Sequence, residues 1–519
     1  MSKLLATKPL DQLLAESRAE GDQALVRALG PYNLIALGIG AVIGAGIFVI
    51  TGSAAAQFAG PAILLSFLLA GVGCAFAGLC YAEFAALIPI SGSAYTYGYA
   101  TLGELFAWII GWDLVLEYAF SAATVASGWS GTIVSLLQDF GVALPPQLIE
   151  TPGRELVLFQ GRWELLTTVL PAVNAAGVNP DALPHATAIF NLPAFISILI
   201  VTTILVIGVR ESARFNTIVV FIKVSTILIF VAIGAAYLWK NPNVFTTNWR
   251  EFIPENKGEF GQFGWSGIAR GASVIFFAYI GFDAVTTAAQ EAKNPQRDMP
   301  IGLLGSLAIC TILFLAVAAT LTGTVHYSQL NVAAPVALAI DVAGVKWGSL
   351  MVKLGSLAGL STVMLVTLMG QSRIFYTMSR DGLLPPWASA IHPRFRTPWI
   401  SSIIVGLFVA TFAGLIPITV LGELVSIGTL LAFVIVSAGV WMLRIKRPDI
   451  PRPFKTPWVP FTPLMGILVS LLLMASLPLD TWLRLIVWLI IGFAIYFGYS
   501  RKHSRVQVGD NASTTIAAD

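Results

Sequence analysis

Three ionisable side chains stand inside otherwise apolar runs: Lys223 in FNTIVVFIKVSTILIFVAIG, Glu117 in GWDLVLEYAFS and Asp283 in FFAYIGFDAVTT. A charge at the centre of a bilayer costs at least about 2.5–3.5 kcal/mol on insertion scales, so such residues are usually kept for function. Lys223 follows Arg214 by about nine positions, roughly 13 Å along a helix, too far for its side chain to snorkel back to that charge line. It is either a buried group that exchanges a proton beside a site or a permanently paired structural lysine. Glu117 is its natural partner or a proton relay, or else a carboxylate facing water at a helix end. Asp283 either pins a turn by accepting backbone amides or favours a basic ligand. Glu83, near the end of its apolar run, reads as structural. His185, His326, His392 and His503 lie in loops or the tail without ligand spacing, so no metal site is expected. Cys74, Cys80 and Cys310 sit in apolar runs and read as small core residues.

A second chemical feature needs no charged side chain. The stretch IGAVIGAGIFV, residues 39–49, carries Gly40, Gly44 and Gly46 where each glycine costs roughly 1 kcal/mol against alanine in a helix. It does not match G-x-G-x-x-G, and no soluble strand-turn-helix unit surrounds it, so it is no dinucleotide loop. Gly40 and Gly44 fit a close helix-packing face. The other reading is a helix that stops halfway: from Asn33, Ile43 lies roughly 16 Å along, near the middle of a hydrocarbon core about 30 Å thick. Broken backbone at that depth is tolerated only where it lines a cavity or site. The amides of Ala45, Gly46 and Ile47 would then face a carboxylate, while carbonyls such as that of Val42 face an ammonium. The turn Val42, Ile43, Gly44, Ala45, Gly46, Ile47 is thus a candidate site for a zwitterion. A matching interruption is expected about five spans later, where Gly281 stands beside Asp283, Phe276, Phe277 and Tyr279.

The elements that must position these groups follow from composition. Of 519 residues, 56% are hydrophobic and 11% charged, far from the soluble balance of roughly a quarter charged. Windows of roughly 20 apolar residues give about twelve helical spans, beginning near Asn33, Pro61, Leu105, Ala188, Phe215, Gly264, Ile301, Lys346, Trp399, Pro417, Phe461 and Thr481. None has the short alternating pattern of a barrel strand. Residues 1–32 hold no apolar core of a signal peptide and are expected in the cytoplasm. With that orientation, the basic loops GVRESARFN, EAKNPQRDMP, SRDGLLPPWASAIHPRFRT and RIKRPDIPRPFKT and the tail 501–519 fall inside, and the Lys- and Arg-free connections near His326 and Asp480 fall outside. The loop SGSAYTYGYA should also be inside yet has no basic residue. The net charge of +3 reflects this bias and not nucleic-acid binding. The outward stretches 140–187 and WKNPNVFTTNWREFIPENKGEF have room for a short surface helix and show no site chemistry.

The segments LGPYNLIALGIGAVIGAGIFVITG, GVRESARFNTIVVFIKV, FFAYIGFDAVTTAAQEAKNPQRDMP, GQSRIFYTMSRDGLLP and SIGTLLAFVIVSAGVW resemble the cationic amino acid transporter family of the amino acid-polyamine-organocation superfamily. The likeness runs from about Leu29 to His503 and favours the bacterial branch, since Glu117 is usually missing from animal members. It implies an all-α integral membrane protein with a LeuT-type fold of 12 transmembrane helices, in a 5+5 inverted repeat with helices 1 and 6 broken. The implied boundaries are residues 33–240 and 264–443 for the repeats and 455–500 for the last two helices. It implies that Ala45 and Gly46 bind a substrate carboxylate, and that carbonyls of Val42, Phe277, Ala278 and Ile280 hold its ammonium. Lys223 would take the place of a coupling cation, with Glu117 beside it.

The implied function is a secondary active transporter importing neutral or cationic amino acids by proton symport, multi-pass in the cytoplasmic membrane with both termini inside. An exchanger or a sodium-coupled transporter is the alternative, since Ser361 and Thr362 have hydroxyls suited to sodium. The expected partners are the amino acid substrate and the lipid bilayer, with the proton as coupling ion, no other cofactor, and a small membrane-protein partner left open. No paired aspartates, HExxH or nucleophile elbow points to an enzyme. A channel would need a continuous polar pore, which isolated charges do not make.

Overall fold

The computed structural model describes residues 6–8, 29–90, 93–208, 213–332 and 334–508. Most of the expected N-terminal segment, the centre of the loop GVRESARFN and the end of the tail lie outside them. Among the described residues, eight helical stretches are long and apolar enough to cross a membrane, and four shorter apolar helices accompany them. Helix α1, Pro31–Val42, opens on a proline whose missing amide costs nothing in a first turn. The chain resumes as α2, residues 46–59, and turns at Gly60, whose φ of +59° suits a residue without Cβ. It continues as α3, Ile63–Leu87.

The loop expected at SGSAYTYGYA is instead largely a helix, α4, Ser93–Thr101, which buries Tyr95, Tyr97 and Tyr99; Ser91 and Gly92 lie outside the described residues. Its missing basic residue is supplied from elsewhere. Lys8 donates its backbone amide to the Tyr99 carbonyl at 3.2 Å and pairs with Asp381 at 3.3 Å. A long helix α5, Glu104–Asp139, follows and widens into a π turn over Leu116–Phe120. Such turns inside α-helices recur at functional sites.

The stretch after α5, expected to be a connection with room for a short surface helix, is more structured. It forms a three-stranded antiparallel sheet in the order β2-β1-β3, from β1 Glu155–Phe159, β2 Arg162–Leu165 and β3 His185–Thr187, together with helix α6, Leu166–Ala175. Gln160 and Gly161, with φ of 50° and 80°, close the hairpin in the backbone hand that suits strand twist. Asp139 pairs with Arg162 on β2 and with Lys353, fastening the sheet to the helical body.

The remaining helices are α7 Leu192–Ile207, α8 Ala213–Lys240, the short α9 Pro242–Asn248, α10 Gly264–Ile275, α11 Pro295–Thr324, α12 Pro335–Val342, α13 Lys346–Arg380, α14 Trp399–Leu415, α15 Ile418–Lys446, α16 Phe461–Ala475 and α17 Leu479–Ile495. Helix α1 packs on α11, which also lies along α3; α13 packs on α5, and α16 lies between α15 and α3. The apolar core is continuous through these contacts, and Cys74, Cys80 and Cys310 are free thiols within it.

Candidate functional site

Helix α1 stops inside the core. Val42 is its last residue, Ile43 is extended with ψ of 97°, and Gly44 leads through Ala45 to the start of α2 at Gly46. The leading amides of a helix have no intrahelical acceptor, and the last carbonyls no intrahelical donor. Both kinds of orphan therefore lie within a few residues of Ile43. Gly46 accepts from the Thr51 hydroxyl at 2.8 Å, which steadies the first turn of α2.

The second interruption has a different build. Helix α10 ends at Ile275, a tight 3-10 turn spans Phe276–Tyr279, Ile280 is extended with ψ of 139°, and Gly281 has φ of +103°. A 3-10 segment, Asp283–Glu291, continues to α11. Thus Gly281 reverses the backbone where most side chains would be strained.

The two interruptions meet. A Cβ placed on Gly46 would lie 2.3 Å from the Cα of Ala278, and one on Gly281 would lie 3.0 Å from the Ala41 carbonyl oxygen. The turn at Gly46 is therefore filled by the opposing backbone, not empty. The other glycines have separate neighbours: Gly44 faces Val363 of α13, and Gly38 is pressed against Ser306 of α11. Of the packing pair Gly40 and Gly44, Gly44 packs on a neighbouring helix, while Gly46 lies at the interruption against the Ala278 backbone.

Lys223 of α8 is wholly buried and ends at the first interruption. Its Nζ donates to the Gly40 carbonyl at 2.7 Å and to the Ile43 carbonyl at 3.1 Å. A cation there satisfies the carbonyls that the end of α1 leaves bare and complements its dipole. Its stem passes Gly359 of α13, where a side chain would touch Cε at 3.4 Å. Ser361 and Thr362 turn their hydroxyls back to helix carbonyls, those of Leu357 and Gly359, each at 2.8 Å.

Glu117 does not join Lys223. It projects from the π turn of α5 to Asp283 at the second interruption, with Thr429 of α15 and Asp113 also near. Neither carboxyl reaches hydrogen-bonding geometry with any described residue. The donors beside Asp283 are its own amide and those of Gly281 and Ala284, so it sits at the turn it was expected to pin without closing those bonds. Two buried carboxyls thus lie side by side, with no cationic partner among the described residues.

The aromatic residues of the second interruption divide. Tyr279 faces away from the first interruption, donating its hydroxyl to the Phe67 carbonyl of α3 at 2.9 Å, and so ties the turn to that helix. Phe276 meets Phe433 of α15 edge to face at 5.5 Å, and Phe282 and Tyr81 meet the same ring at 5.5 Å each. Phe277, Ala278 and Ile280 remain buried beside the meeting point.

Ion pairs that the sequence reading does not anticipate lie at both ends of α15. Towards one end, Arg270 of α10 pairs with Glu423, which also accepts from Thr481 at 2.7 Å. At the other, Glu83 accepts from Arg444 at 2.9 and 2.7 Å, from Arg452 at 3.1 Å and from the Thr456 amide at 2.8 Å. The signal for Arg270 and Glu423 was present: each is a charged residue a few positions inside an apolar run.

Interrupted apolar helices meet in the core of a multi-helical membrane protein, with a lysine on one backbone end and buried carboxyls at the other. A family profile described as amino acid permease matches residues 29–496, and the chain belongs to that family. It is 43% identical over 504 residues to the methylthioribose transporter of Bacillus subtilis, covering 97% of this chain and 99% of the relative. It is 43% identical over 500 residues to the branched-chain amino acid permease BcaP of the same organism, covering 96% and 98%. It is 36% identical over 453 residues to the vacuolar cationic amino acid transporter 4 of Arabidopsis thaliana, covering 86% and 68%. These relatives are named as transporters or permeases, not as enzymes.

Proposed function

We propose that the protein is a secondary active transporter that imports amino acids across the cytoplasmic membrane by alternating access, with protons as the driving ion. The observation that carries this reading is the meeting of the two interruptions at Gly46 and Ala278, with Lys223 on the carbonyls of Gly40 and Ile43. The amides of Ala45, Gly46 and Ile47 receive the substrate carboxylate, and the carbonyls of Val42, Phe277, Ala278 and Ile280 receive its ammonium once the interruptions part. The fold is LeuT-type: twelve crossings, with inverted five-helix repeats over 33–240 and 264–443, then two further helices over 455–500. In support, the interruptions fall in the first helix of each half. Both termini lie in the cytoplasm, in keeping with the basic loops.

Proton movement uses Lys223 and the Glu117–Asp283 pair. An ammonium already bonded to the end of α1 stands where a sodium ion would need the same carbonyls, which favours protons over sodium. A second cargo is favoured by one finding, the equal likeness to a methylthioribose transporter. An uncharged thio-sugar would leave the paired backbone ends without charge partners, so the zwitterion is the better fit. Uptake of radiolabelled leucine into proteoliposomes, competed by each amino acid and by methylthioribose, tests this. Amino acids should compete and methylthioribose should not; the reverse order would replace the cargo.

A further inference from the structure

A cavity of about 330 Å³ lies beyond the interruptions, bounded by α2, α10, the start of α15 and the sheet-bearing loop. That volume falls at the small end of ligand pockets, roughly 300–1,000 Å³. One side is apolar, with Val49, Val274 and Ile418; the loop contributes Glu150 and Arg154.

The charges around it differ in their commitments. Glu423 is engaged by Arg270 and Thr481. Glu150 accepts at Oε1 from the amide and hydroxyl of Thr151, at 3.0 and 3.2 Å, and its Oε2 has no hydrogen bond among the described residues. Arg154 is half-buried and bonds through its backbone to Thr151 and Ala188, while its guanidinium has no hydrogen bond or ion pair among the described residues, Glu150 included. A guanidinium is a planar fork that binds carboxylates with two parallel hydrogen bonds, and partial burial strengthens such a contact.

The geometry points to a waiting site for cargo in this cavity, where Arg154 takes the carboxylate of an α-amino acid, Glu150 takes its ammonium, and Val49, Val274 and Ile418 take an uncharged side chain. This rests on the amino acid reading above. The sheet-bearing loop is then part of the binding path, and the site prefers neutral over cationic amino acids because no uncommitted carboxylate among the described residues faces its apolar side.

The test is leucine uptake by the full-length protein in proteoliposomes. Arg154→Gln should raise KM about tenfold and leave kcat within about twofold, since uniform binding ahead of the conformational step is what it removes. Arg154→Lys should recover most of the loss, and Glu150→Gln should raise KM by a smaller factor. Isoamylamine, which is leucine without its carboxylate, should inhibit wild type and Arg154→Gln equally. A wild-type KM in Arg154→Gln overturns the waiting site while the amino acid reading stands. If Arg154→Gln does not yield folded protein, unchanged KM in both Arg154→Lys and Glu150→Gln overturns it instead. Absence of amino acid uptake by the wild type removes the reading itself, and this site with it.

Discussion

Glu83 and Glu117 are both glutamates on apolar helices and both are 1% exposed. Glu83 accepts from two arginines and a backbone amide. Glu117 accepts from no described residue and lies against another carboxyl. The difference separates two uses of buried charge. Where every lone pair has a donor, the charge is fixed and holds α3 to the end of α15. Where none has, the group can change protonation without breaking a bond. Burial alone therefore does not mark a working residue; the missing partner does.

The contrast is sharpened by variants, of which the largest effect is expected at the meeting point of the interruptions. Gly46→Leu places a side chain where the Cα of Ala278 already stands, so binding and uptake should vanish while the protein still inserts and elutes as one species in detergent. Next, Glu83→Ala leaves Arg452 buried and unpaired, which should cost about 3–5 kcal/mol and appear as a strongly lowered melting temperature. Lys223→Ala strips the donor from the Gly40 and Ile43 carbonyls; about 1–3 kcal/mol of stability should go, and uptake should stop responding to a pH gradient. Smallest in stability is Glu117→Gln, within about 1 kcal/mol because no bond is lost, though its uptake should lose the wild-type pH profile. If Glu117→Gln were as destabilising as Glu83→Ala, the division between fixed and exchangeable charge would fail.

Much of this arrangement is readable along the chain because it depends on local pattern. Gly44 and Gly46 mark the first interruption, Gly281 beside Asp283 marks the second, and apolar windows locate the helices. The rest depends on which faces meet. The apolar run and the family resemblance put Glu117 beside Lys223, but the π turn over Leu116–Phe120 aims it at Asp283, and no helical spacing announces such a turn. Tyr279 was grouped with Phe276 and Phe277 by proximity in sequence, yet it anchors to Phe67, more than two hundred residues away. The outer sheet was missed although ELVLFQGRWEL carries an alternating run and a turn glycine, because a membrane-helix reading treats such stretches as connections.

In the proposed mechanism, protons exchanged at Lys223 and the Glu117–Asp283 pair drive amino acid entry past the meeting interruptions. The direct measurement is leucine accumulation in sodium-free proteoliposomes under an inward proton gradient, with internal pH followed by a trapped dye. The account predicts leucine accumulation above equilibrium, matched internal acidification, and loss of both in Lys223→Ala. Accumulation that ignores the proton gradient, or that requires sodium, would contradict it.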